Sequence, residues 1–166
     1  MYRILKAHGE AQGHRRQRTH PVYVKPQLVA TGPNQVWTWD FTKVRSLERG
    51  VWFHLFVLLD IFSPACATAD RRYVAGWTLT RRPSAAVANH LLKETLSKHQ
   101  IEPGTLTVHN DRGPEFIADD VTKLFETLDV TRSFSRPRTS NDNAYSESQF
   151  KTTKYHPEYP GAFAGF

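Results

Sequence analysis

Three acidic side chains, Asp40, Asp111 and Glu147, lie in sequence contexts that could support chemistry. Asp40 falls in the middle of a strand-like segment beside apolar neighbours, Asp111 at the end of another strand-like segment, and Glu147 one turn into a helix-like segment. A carboxylate in the middle of a strand is disfavoured unless something compensates its charge. Three such charges that come together need a common compensating partner.

Cations are the expected partners of clustered carboxylates. If the three acids come together, their repulsion raises the pKa of at least one of them unless cations lie between them. Oxygen ligands without a multi-Cys or dense His cluster favour Mg²⁺ or Mn²⁺ over Zn²⁺ or Cu²⁺. Two such ions about 4 Å apart suit in-line phosphoryl transfer, because one activates the attacking oxygen and the other stabilises the leaving oxygen. The acids therefore predict a two-metal site that acts on a phosphodiester.

The periodicity of the chain predicts the elements that carry these acids. In residues 36–44, Trp37, Trp39 and Phe41 fall on one side of a strand and Asp40 on the other, and we expect the tryptophans to be core residues. Similar patterns predict further strands at 51–62, 73–80, 105–109 and 131–135, and helices that begin near residues 84, 120 and 142. Three strands followed by alternating helices and strands imply an α/β fold with a mixed five-stranded sheet flanked by helices.

Each predicted helix has a candidate N-terminal cap. Ser84 is the expected cap of the first helix, Asp119 or Asp120 of the second, and Asn141 or Asp142 of the third. These residue types accept hydrogen bonds from the free backbone N–H groups of a first helical turn. The caps therefore set where each helix is expected to begin.

Composition excludes several classes of protein. The chain has 166 residues, of which 39% are hydrophobic, and this is enough for one domain with a core. Its longest apolar run, residues 51–62, is shorter than the roughly 20 residues of a membrane-spanning helix. One cysteine, Cys66, excludes an internal disulfide and a multi-thiolate zinc site. Because the N-terminus lacks the apolar stretch of a secretory signal, we expect a cytoplasmic protein with no membrane segment.

The positive charge is concentrated near the N-terminus. The formal net charge is +6, and residues 1–30 contain six basic residues and one acidic residue, which gives +5. Such a segment is typical of nucleic-acid-binding proteins, because Lys and Arg displace counterions from phosphates. A solvated tail that aids solubility explains the charge equally well, so both interpretations stay open. Arg15, Arg16 and Arg18 are its candidate DNA contacts.

Three sequence blocks around the acids resemble a known family. The blocks are WTWDFTKV at 37–44, HNDRGPEF at 109–116 and SRPRTSNDNAYSESQFKTTK at 135–154. In order and content they are similar to the three blocks of the retroviral-integrase-like core in bacterial insertion-sequence transposases. Thirty-five residues separate Asp111 from Glu147, and Lys154 lies seven residues after Glu147. Both spacings match that family's acidic triad and its lysine.

The resemblance implies a ribonuclease H-like fold and DNA chemistry. Asp40, Asp111 and Glu147 would be the catalytic residues and the ligands of two Mg²⁺ or Mn²⁺ ions. The expected function is that of a DDE-type transposase core, which cleaves and transfers DNA strands. It would act on transposon ends and target DNA as a homo-oligomer at the bacterial nucleoid. Two alternatives stay open: a catalytically incompetent DNA-binding remnant, and a metal-dependent nuclease of the same fold.

Four basic residues in the third block are candidate DNA contacts. Lys151 and Lys154 lie four and seven positions after Glu147 and so share its helix face, within reach of phosphate. The alternative is an exposed helix face with a weak Glu147–Lys151 ion pair. Arg136 and Arg138 precede this helix in a predicted loop, where phosphate contact and simple solvation both fit.

Other polar residues near the blocks receive structural interpretations. We expect Asp60 to fix a turn, Glu115 to lie in an exposed loop, and Asn143 to be a cap or local organiser of the third helix. His109 lies two residues before Asp111 and shares its strand face. Two roles fit His109: a hydrogen bond to a metal ligand or to DNA, and a satisfied polar residue.

The family pattern suggests a division of the chain. We expect residues 1–33 to form a basic arm and linker, a remnant of a helix-turn-helix region, followed by the core at 34–160. Residues 161–166 would then be a shortened C-terminal tail, so that both ends look truncated relative to the family. Residues 64–70 look like an insertion between the second and third strands, in a turn where extra length costs little.

Overall fold

A computed structural model of the chain describes residues 28–62, 73–136 and 140–164. Within these residues five strands are formed: β1 (Val36–Arg45), β2 (Trp52–Asp60), β3 (Tyr73–Thr80), β4 (Thr107–Asn110) and β5 (Thr131–Phe134). The helices are α1 (Ala85–Lys98), α2 (Pro114–Ile117), α3 (Asp119–Thr127), a 3₁₀ helix (Ser140–Asn143) and α4 (Ala144–Lys154). The proposed insertion at 64–70 lies outside the described residues.

The five strands form one mixed sheet in the order β3-β2-β1-β4-β5. β1, β2 and β3 make an antiparallel meander, whereas β4 and β5 run parallel to β1 and to each other. The predicted architecture, a three-strand meander followed by crossovers, is confirmed. The central position of β1 places Asp40 in the middle of the sheet.

One face of the sheet packs against α1 and α3. Trp37 and Trp39 of β1 are fully buried there, in a cluster that includes Leu92 of α1 and Phe125 of α3. The rings of Trp39 and Phe116 lie 4.9 Å apart between centroids. The expectation that both tryptophans are core residues is confirmed.

The other face is covered in part by α4. Its buried hydrophobic cluster in the described residues is small and consists of Val57, Leu59 and Phe150. Asp40 and Val57 are partners across β1 and β2, which puts Asp40 on this face. The alternation of β1 thus separates a large apolar core from a thinner and more polar layer.

Helix α1 approaches β3 unusually closely at Gly76. A Cβ atom at this position would lie 2.1 Å from Oγ1 of Thr95, which is far inside contact distance. The absence of a side chain at Gly76 therefore lets the helix dock on this edge strand.

The helix starts agree with the sequence only in part. Ser84 caps α1 as predicted, because its hydroxyl accepts a hydrogen bond from the N–H of Val87 at 3.3 Å. The predicted caps Asp119 and Asp120 are wrong, since Ala118 holds the cap position of α3 and both acids lie in its first turn. The reason is helix α2, which was not predicted and leaves only Ala118 before α3 begins.

The predicted cap of the last helix, Asn141 or Asp142, is also wrong. A 3₁₀ helix precedes α4, and Asn143 occupies the cap position without a side-chain capping hydrogen bond. None of the helices described is both long and apolar enough to cross a membrane.

Candidate active site

Asp40 lies at the centre of β1, opposite Val57 of β2, and is partly buried. Its Oδ1 accepts a hydrogen bond from the backbone N–H of Phe41 at 2.8 Å. Burial raises the pKa of Asp40 from 3.8 to about 7; the Phe41 hydrogen bond opposes this, and the charges of Asp111 and Glu147 add to it. Both other acids therefore lie close enough to Asp40 to disfavour its ionised form.

Asp111 follows directly after the last residue of β4. The parallel pairing of β1 with β4 ends where Trp39 lies opposite Asn110. Because neighbouring parallel strands advance together, the next two residues, Asp40 and Asp111, lie side by side on the same face of the sheet. Oδ1 of Asp111 accepts a hydrogen bond from the hydroxyl of Ser135 at 2.5 Å.

Glu147 lies in the first turn of α4, which is held along β1 by two hydrogen bonds. The hydroxyl of Ser146 donates to Oγ1 of Thr38 at 3.1 Å, and Nζ of Lys154 donates to Oγ1 of Thr42 at 2.7 Å. The two threonines lie two residues to either side of the central acid of β1. The helix therefore passes over that acid and brings Glu147 alongside it.

The three carboxylates of this acidic site interact electrostatically without enclosing a metal-sized space. Within the described part of the chain, no three His, Cys, Asp or Glu side chains are close enough to one another to enclose a metal ion. Besides burial, however, the charges of Asp111 and Glu147 raise the pKa of Asp40, so the three share one electrostatic environment. A hard divalent cation fits this donor set, because it prefers carboxylate oxygens and would relieve the repulsion. The side chains would have to turn toward one another to hold it.

His109 lies beneath the acids on β4 and is fully buried. Its Nδ1 lies 3.0 Å from the Ser133 hydroxyl and its Nε2 lies 3.2 Å from the Ser135 hydroxyl. Burial lowers the pKa of His109, although Asp111 and Asp142 act in the opposite direction. Because the ring is buried, it contacts the acidic site rather than DNA, and it does so through Ser135. Sequence reasoning singled out neither serine.

Arg136, an expected DNA contact, is paired within the protein. Its Nε and Nη2 donate to the two carboxylate oxygens of Asp142 at 2.8 and 2.9 Å, and its backbone N–H also donates to this carboxylate. The Asp142 side chain is fully buried, whereas 31% of the Arg136 side chain is exposed. Asp142 therefore binds Arg136 instead of capping α4, and the pair ties the end of β5 to the 3₁₀ helix that leads into α4.

Of the remaining candidate DNA contacts, two are lysines of α4 and four are arginines outside the described residues. Lys151 is exposed on α4, and it forms no ion pair with Glu147 in the described structure, so the weak helix-face pair is not observed. Lys154 reaches β1, as described above. Four candidates lie outside the described residues: Arg15, Arg16, Arg18 and Arg138.

Two further acids, Asp60 and Glu115, and one amide, Asn143, were expected to have structural roles. Asp60 fixes a turn as expected, since its carboxylate accepts the N–H groups of Asn34 at 2.7 Å and Phe62 at 2.9 Å. Glu115 lies in α2 and is partly buried, so the expected exposed loop is wrong. Asn143 is fully buried, and its side-chain amide has no hydrogen-bond partner in the described residues.

An apolar groove of about 640 Å³ lies elsewhere on the α4 side of the sheet. Its lining includes Leu55, Trp77 and Leu79 from the meander and Tyr159 and Phe163 from the segment after α4. None of the three acids lines it. The groove and the acidic site are therefore separate features of this face.

Sequence comparison relates the site to known proteins. The integrase core domain family matches residues 30–140, a span that includes Asp40 and Asp111 and ends before Glu147. The chain is 31% identical over 142 residues to the transposase InsF for insertion sequence IS3A of Escherichia coli K12, and the match covers 82% of this chain and 46% of that protein. The chain thus spans about half the length of the curated relatives it matches.

Solved structures share the fold. A chain of the simian T-cell lymphotropic virus intasome, in complex with PP2A regulatory subunit B56 gamma, superposes with a TM-score of 0.62 at 19% identity and covers 92% of this chain and 54% of its own. The catalytic core domain of BIV integrase superposes with a TM-score of 0.50 at 15% identity and covers 73% of this chain and 67% of its own. At these identities the likeness concerns the fold alone, and it confirms the expected ribonuclease H-like class.

Proposed function

This chain belongs to the integrase core domain family, and we propose that it is the catalytic core of an insertion-sequence transposase, which cleaves DNA strands and joins them to a target. One observation carries the proposal: acids from β1, from the end of β4 and from α4 lie close enough to interact, since the charges of Asp111 and Glu147 add to the burial that raises the pKa of Asp40. The similarity to transposase InsF supports the same reading. This similarity narrows the proposed reaction from phosphodiester chemistry in general to the transfer of DNA strands.

We infer that Asp40, Asp111 and Glu147 hold Mg²⁺ or Mn²⁺. Integrase-like cores use divalent metals in general, and the carboxylates here supply the oxygen donors that these ions prefer. The chemistry that two such ions supply when bound is electrostatic stabilisation of the attacking and leaving oxygens of the phosphodiester. Burial is the main cause of the high pKa of Asp40, and repulsion from Asp111 and Glu147 adds to it. A bound cation would relieve this repulsion.

Asp40 makes the site sensitive to pH. With a pKa of about 7 it carries a proton part of the time at neutral pH when no cation is bound. Only its ionised form is a good ligand for a hard cation, so occupancy of the site should rise as the pH rises through 7. The chain itself therefore couples metal loading to the release of a proton from Asp40.

The basic residues of α4 are the proposed phosphate contacts of the core. Lys154 lies against Thr42, two residues from Asp40, and the exposed Lys151 lies one turn before it. Both can reach the DNA backbone beside the acids and fix its position, on which phosphoryl transfer depends. Arg136 contributes mainly by holding Asp142, since this pair occupies two of its guanidinium nitrogens.

We propose DNA as the partner, in the form of transposon ends and a target. Strand transfer requires two ends to be held together, which more than one copy of a core can do, so a homo-oligomer on DNA at the bacterial nucleoid remains our expectation. The arginines of the N-terminal arm and Arg138 stay predicted contacts of that DNA.

A plasmid-nicking assay with the full chain tests the proposal. Supercoiled plasmid is incubated with Mn²⁺ or Mg²⁺ and with the wild type, D111N, E147Q or E115Q. Wild type should nick the DNA, whereas D111N and E147Q should fall to background and still bind DNA. The variant E115Q is the matched control, because Glu115 lies near Asp111 in α2 without belonging to the triad, and it should retain activity.

Three results would contradict the proposed function. Equal nicking by wild type and D111N would show that the acids do not perform the reaction. DNA binding by the folded wild type without metal-dependent nicking would favour the noncatalytic remnant. Nicking without joining of a 3′ end to a target, when flanking transposon-end DNA is supplied, would favour a nuclease of the same fold.

A further inference from the structure

A row of polar side chains lies one step below the acids in the sheet. In the register of the parallel strands, His109 of β4 lies between Ser133 of β5 and Thr38 of β1. One step further along, Ser135 follows β5 and Asp111 follows β4, so this serine and this acid are again neighbours. The ring of His109 connects the two steps, because its two nitrogens contact Ser133 and Ser135.

One set of directions satisfies the three side-chain hydrogen bonds of this row when Asp111 is ionised and the ring of His109 is neutral. The backbone of Asp142 is a further hydrogen-bond partner of this ring. A carboxylate only accepts, so the single hydroxyl proton of Ser135 is donated to Oδ1 of Asp111. The oxygen of Ser135 must then accept from His109, which places a proton on Nε2. In a neutral ring Nδ1 is then the acceptor, and Ser133 donates to it. Each group therefore donates to the next in the order Ser133, His109, Ser135 and Asp111.

Backbone contacts hold Ser135 in place for this role. Its N–H donates to the carbonyl of Asn110 at 3.2 Å, and its own carbonyl accepts from Nε of Arg112 at 3.3 Å. Both partners lie next to Asp111 in the sequence, one on each side. Ser135 is also buried, with 4% of its surface exposed, so its hydroxyl has little freedom to turn to solvent.

We propose that His109 and Ser135 are positioning residues that fix the Asp111 carboxylate in the orientation required to bind a divalent metal. Aligned hydrogen bonds polarise one another, so the chain from Ser133 through His109 strengthens the last bond to the acid. One oxygen of Asp111 is thereby held by Ser135 and the other is directed toward the site. The inference rests on the proposed function, because it concerns the metal that the acids would hold.

The first test reads the protonated nitrogen of His109. Two-dimensional ¹H–¹⁵N spectra of the histidine rings distinguish a proton on Nε2 from one on Nδ1, and the variant H109Q assigns the signal. In the metal-free full chain at pH 7.5 we expect the Nε2 tautomer, and a changed ring signal in S135A. A proton on Nδ1 alone would overturn the proposed role of His109, because Ser135 would then lack a donor from the ring.

The second test measures affinity for Mn²⁺ by calorimetry or by electron paramagnetic resonance of free Mn²⁺. Loss of a residue that orients a metal ligand typically costs about 10- to 100-fold in affinity, and we expect this loss in S135A and H109F. S135T keeps the hydroxyl, and H109Q keeps a donor at the place of Nε2, so both should stay close to wild type. A role limited to packing would not predict rescue by these two variants.

S46A is the matched control for a lost buried hydroxyl. Ser46 is 2% exposed and accepts a hydrogen bond from the N–H of Glu48, far from the acids. Its removal should leave Mn²⁺ affinity unchanged, and circular dichroism checks that every variant is folded. Should S135A fail to fold, H109F and the tautomer measurement decide the question.

The outcomes separate this inference from the function on which it rests. In one outcome the wild type binds Mn²⁺, D111N weakens this binding, and S135A and H109F leave it unchanged. This result would overturn only the positioning role of His109 and Ser135. Absence of Mn²⁺ binding in the wild type would overturn the proposed metal site, and the inference with it. Weakening in S135A and H109F, with rescue in S135T and H109Q, would support both.

Discussion

The two faces of the sheet are built from the same strands but differ in what they bury. On the α1 and α3 side, Trp37 and Trp39 are fully enclosed in an aromatic and aliphatic cluster. On the α4 side, Val57, Leu59 and Phe150 form a much smaller cluster beside Asp40. Successive residues of β1 thus alternate between a dry core and an acidic site.

This difference shows how a single strand can be stable and functional at once. The apolar face supplies the burial that stabilises the sheet, since the transfer of large aromatic side chains from water is strongly favourable. The α4 face gives up part of that burial to carry a carboxylate whose ionisation is opposed by burial and by its neighbours. We expect stability to depend mainly on the first face, and chemistry on the second.

The largest effect should follow from truncation on the apolar face. W39A should lower the free energy of unfolding by about 3–5 kcal/mol, because it leaves a large cavity in the core. W77A is the matched change on the other face, where 64% of Trp77 is exposed, and it should cost about 0.5 kcal/mol or less. Urea unfolding measures both free energies. Equal losses in W39A and W77A would show that stability does not depend mainly on the apolar face.

A smaller loss is expected from an added methyl group at the interface of β3 and α1. G76A places a Cβ atom against Oγ1 of Thr95 and should destabilise the protein by about 1–3 kcal/mol through overpacking. The double variant G76A/T95A should recover part of this loss, because it removes the obstructing side chain. Additive losses in urea unfolding would show that the helix does not approach the strand as described.

The acid on the other face should leave a pH signature. The folded pKa of Asp40 is about 7 and the unfolded value 3.8, so the contribution of this group to stability is full below 3.8 and is lost as the pH rises through 7. D40N has no such proton to lose. Without divalent metal, the stability of D40N relative to wild type should therefore grow between pH 5 and 8, by on the order of 1 kcal/mol after solvent screening.

Added Mg²⁺ provides the control for this pH dependence. It should restore wild-type stability at pH 8 and have little effect on D40N, because the bound cation replaces the lost proton as the partner of Asp40. Thermal unfolding at several pH values measures both quantities. A difference between the two proteins that stays constant from pH 5 to 8 would mean that neither burial nor the neighbouring acids raise the pKa of Asp40.

The two faces could be predicted from the sequence because they depend on periodicity. Alternation of Trp37, Trp39 and Asp40 was enough to assign each side chain to a face. The order of strands and helices was enough to assign the mixed sheet. That Asp40 and Asp111 lie side by side follows from the parallel register of β1 and β4. The predicted crossovers implied a mixed sheet but did not assign β4 as the neighbour of β1.

The contacts that orient the acids could not be predicted in the same way. Ser135 meets Asp111, and Arg136 meets Asp142, only because the end of β5, the end of β4 and the 3₁₀ helix come together in three dimensions. Asp142 has the residue type of a helix cap, and local sequence gave no sign that an arginine would bind it instead. One signal was available in the sequence. Ser133 and Ser135 are two residues apart, as are His109 and Asp111, so each pair is expected to lie on one face of its strand.

The smallest effect that distinguishes the faces concerns the salt dependence of DNA binding. K154A removes a cation that lies 2.7 Å from Thr42 on the acidic face, and we expect DNA affinity to fall modestly and stability to change little. The slope of log affinity against log salt concentration should flatten by up to about 0.9 for a lost phosphate contact. K151A should act in the same direction, because Lys151 is exposed on the same helix.

K123A is the matched control for this last prediction. Lys123 is exposed on α3, on the opposite side of the sheet, and its removal changes the net charge by the same amount. If affinity follows only the overall charge of the protein, K123A and K154A will flatten the slope equally, and the proposed DNA surface is wrong. If the phosphates lie along the acidic face, the slope will flatten in K154A and stay at the wild-type value in K123A. Fluorescence anisotropy of a labelled duplex, recorded across a salt series, separates the two results, because a local contact changes the number of counterions released whereas a distant charge does not.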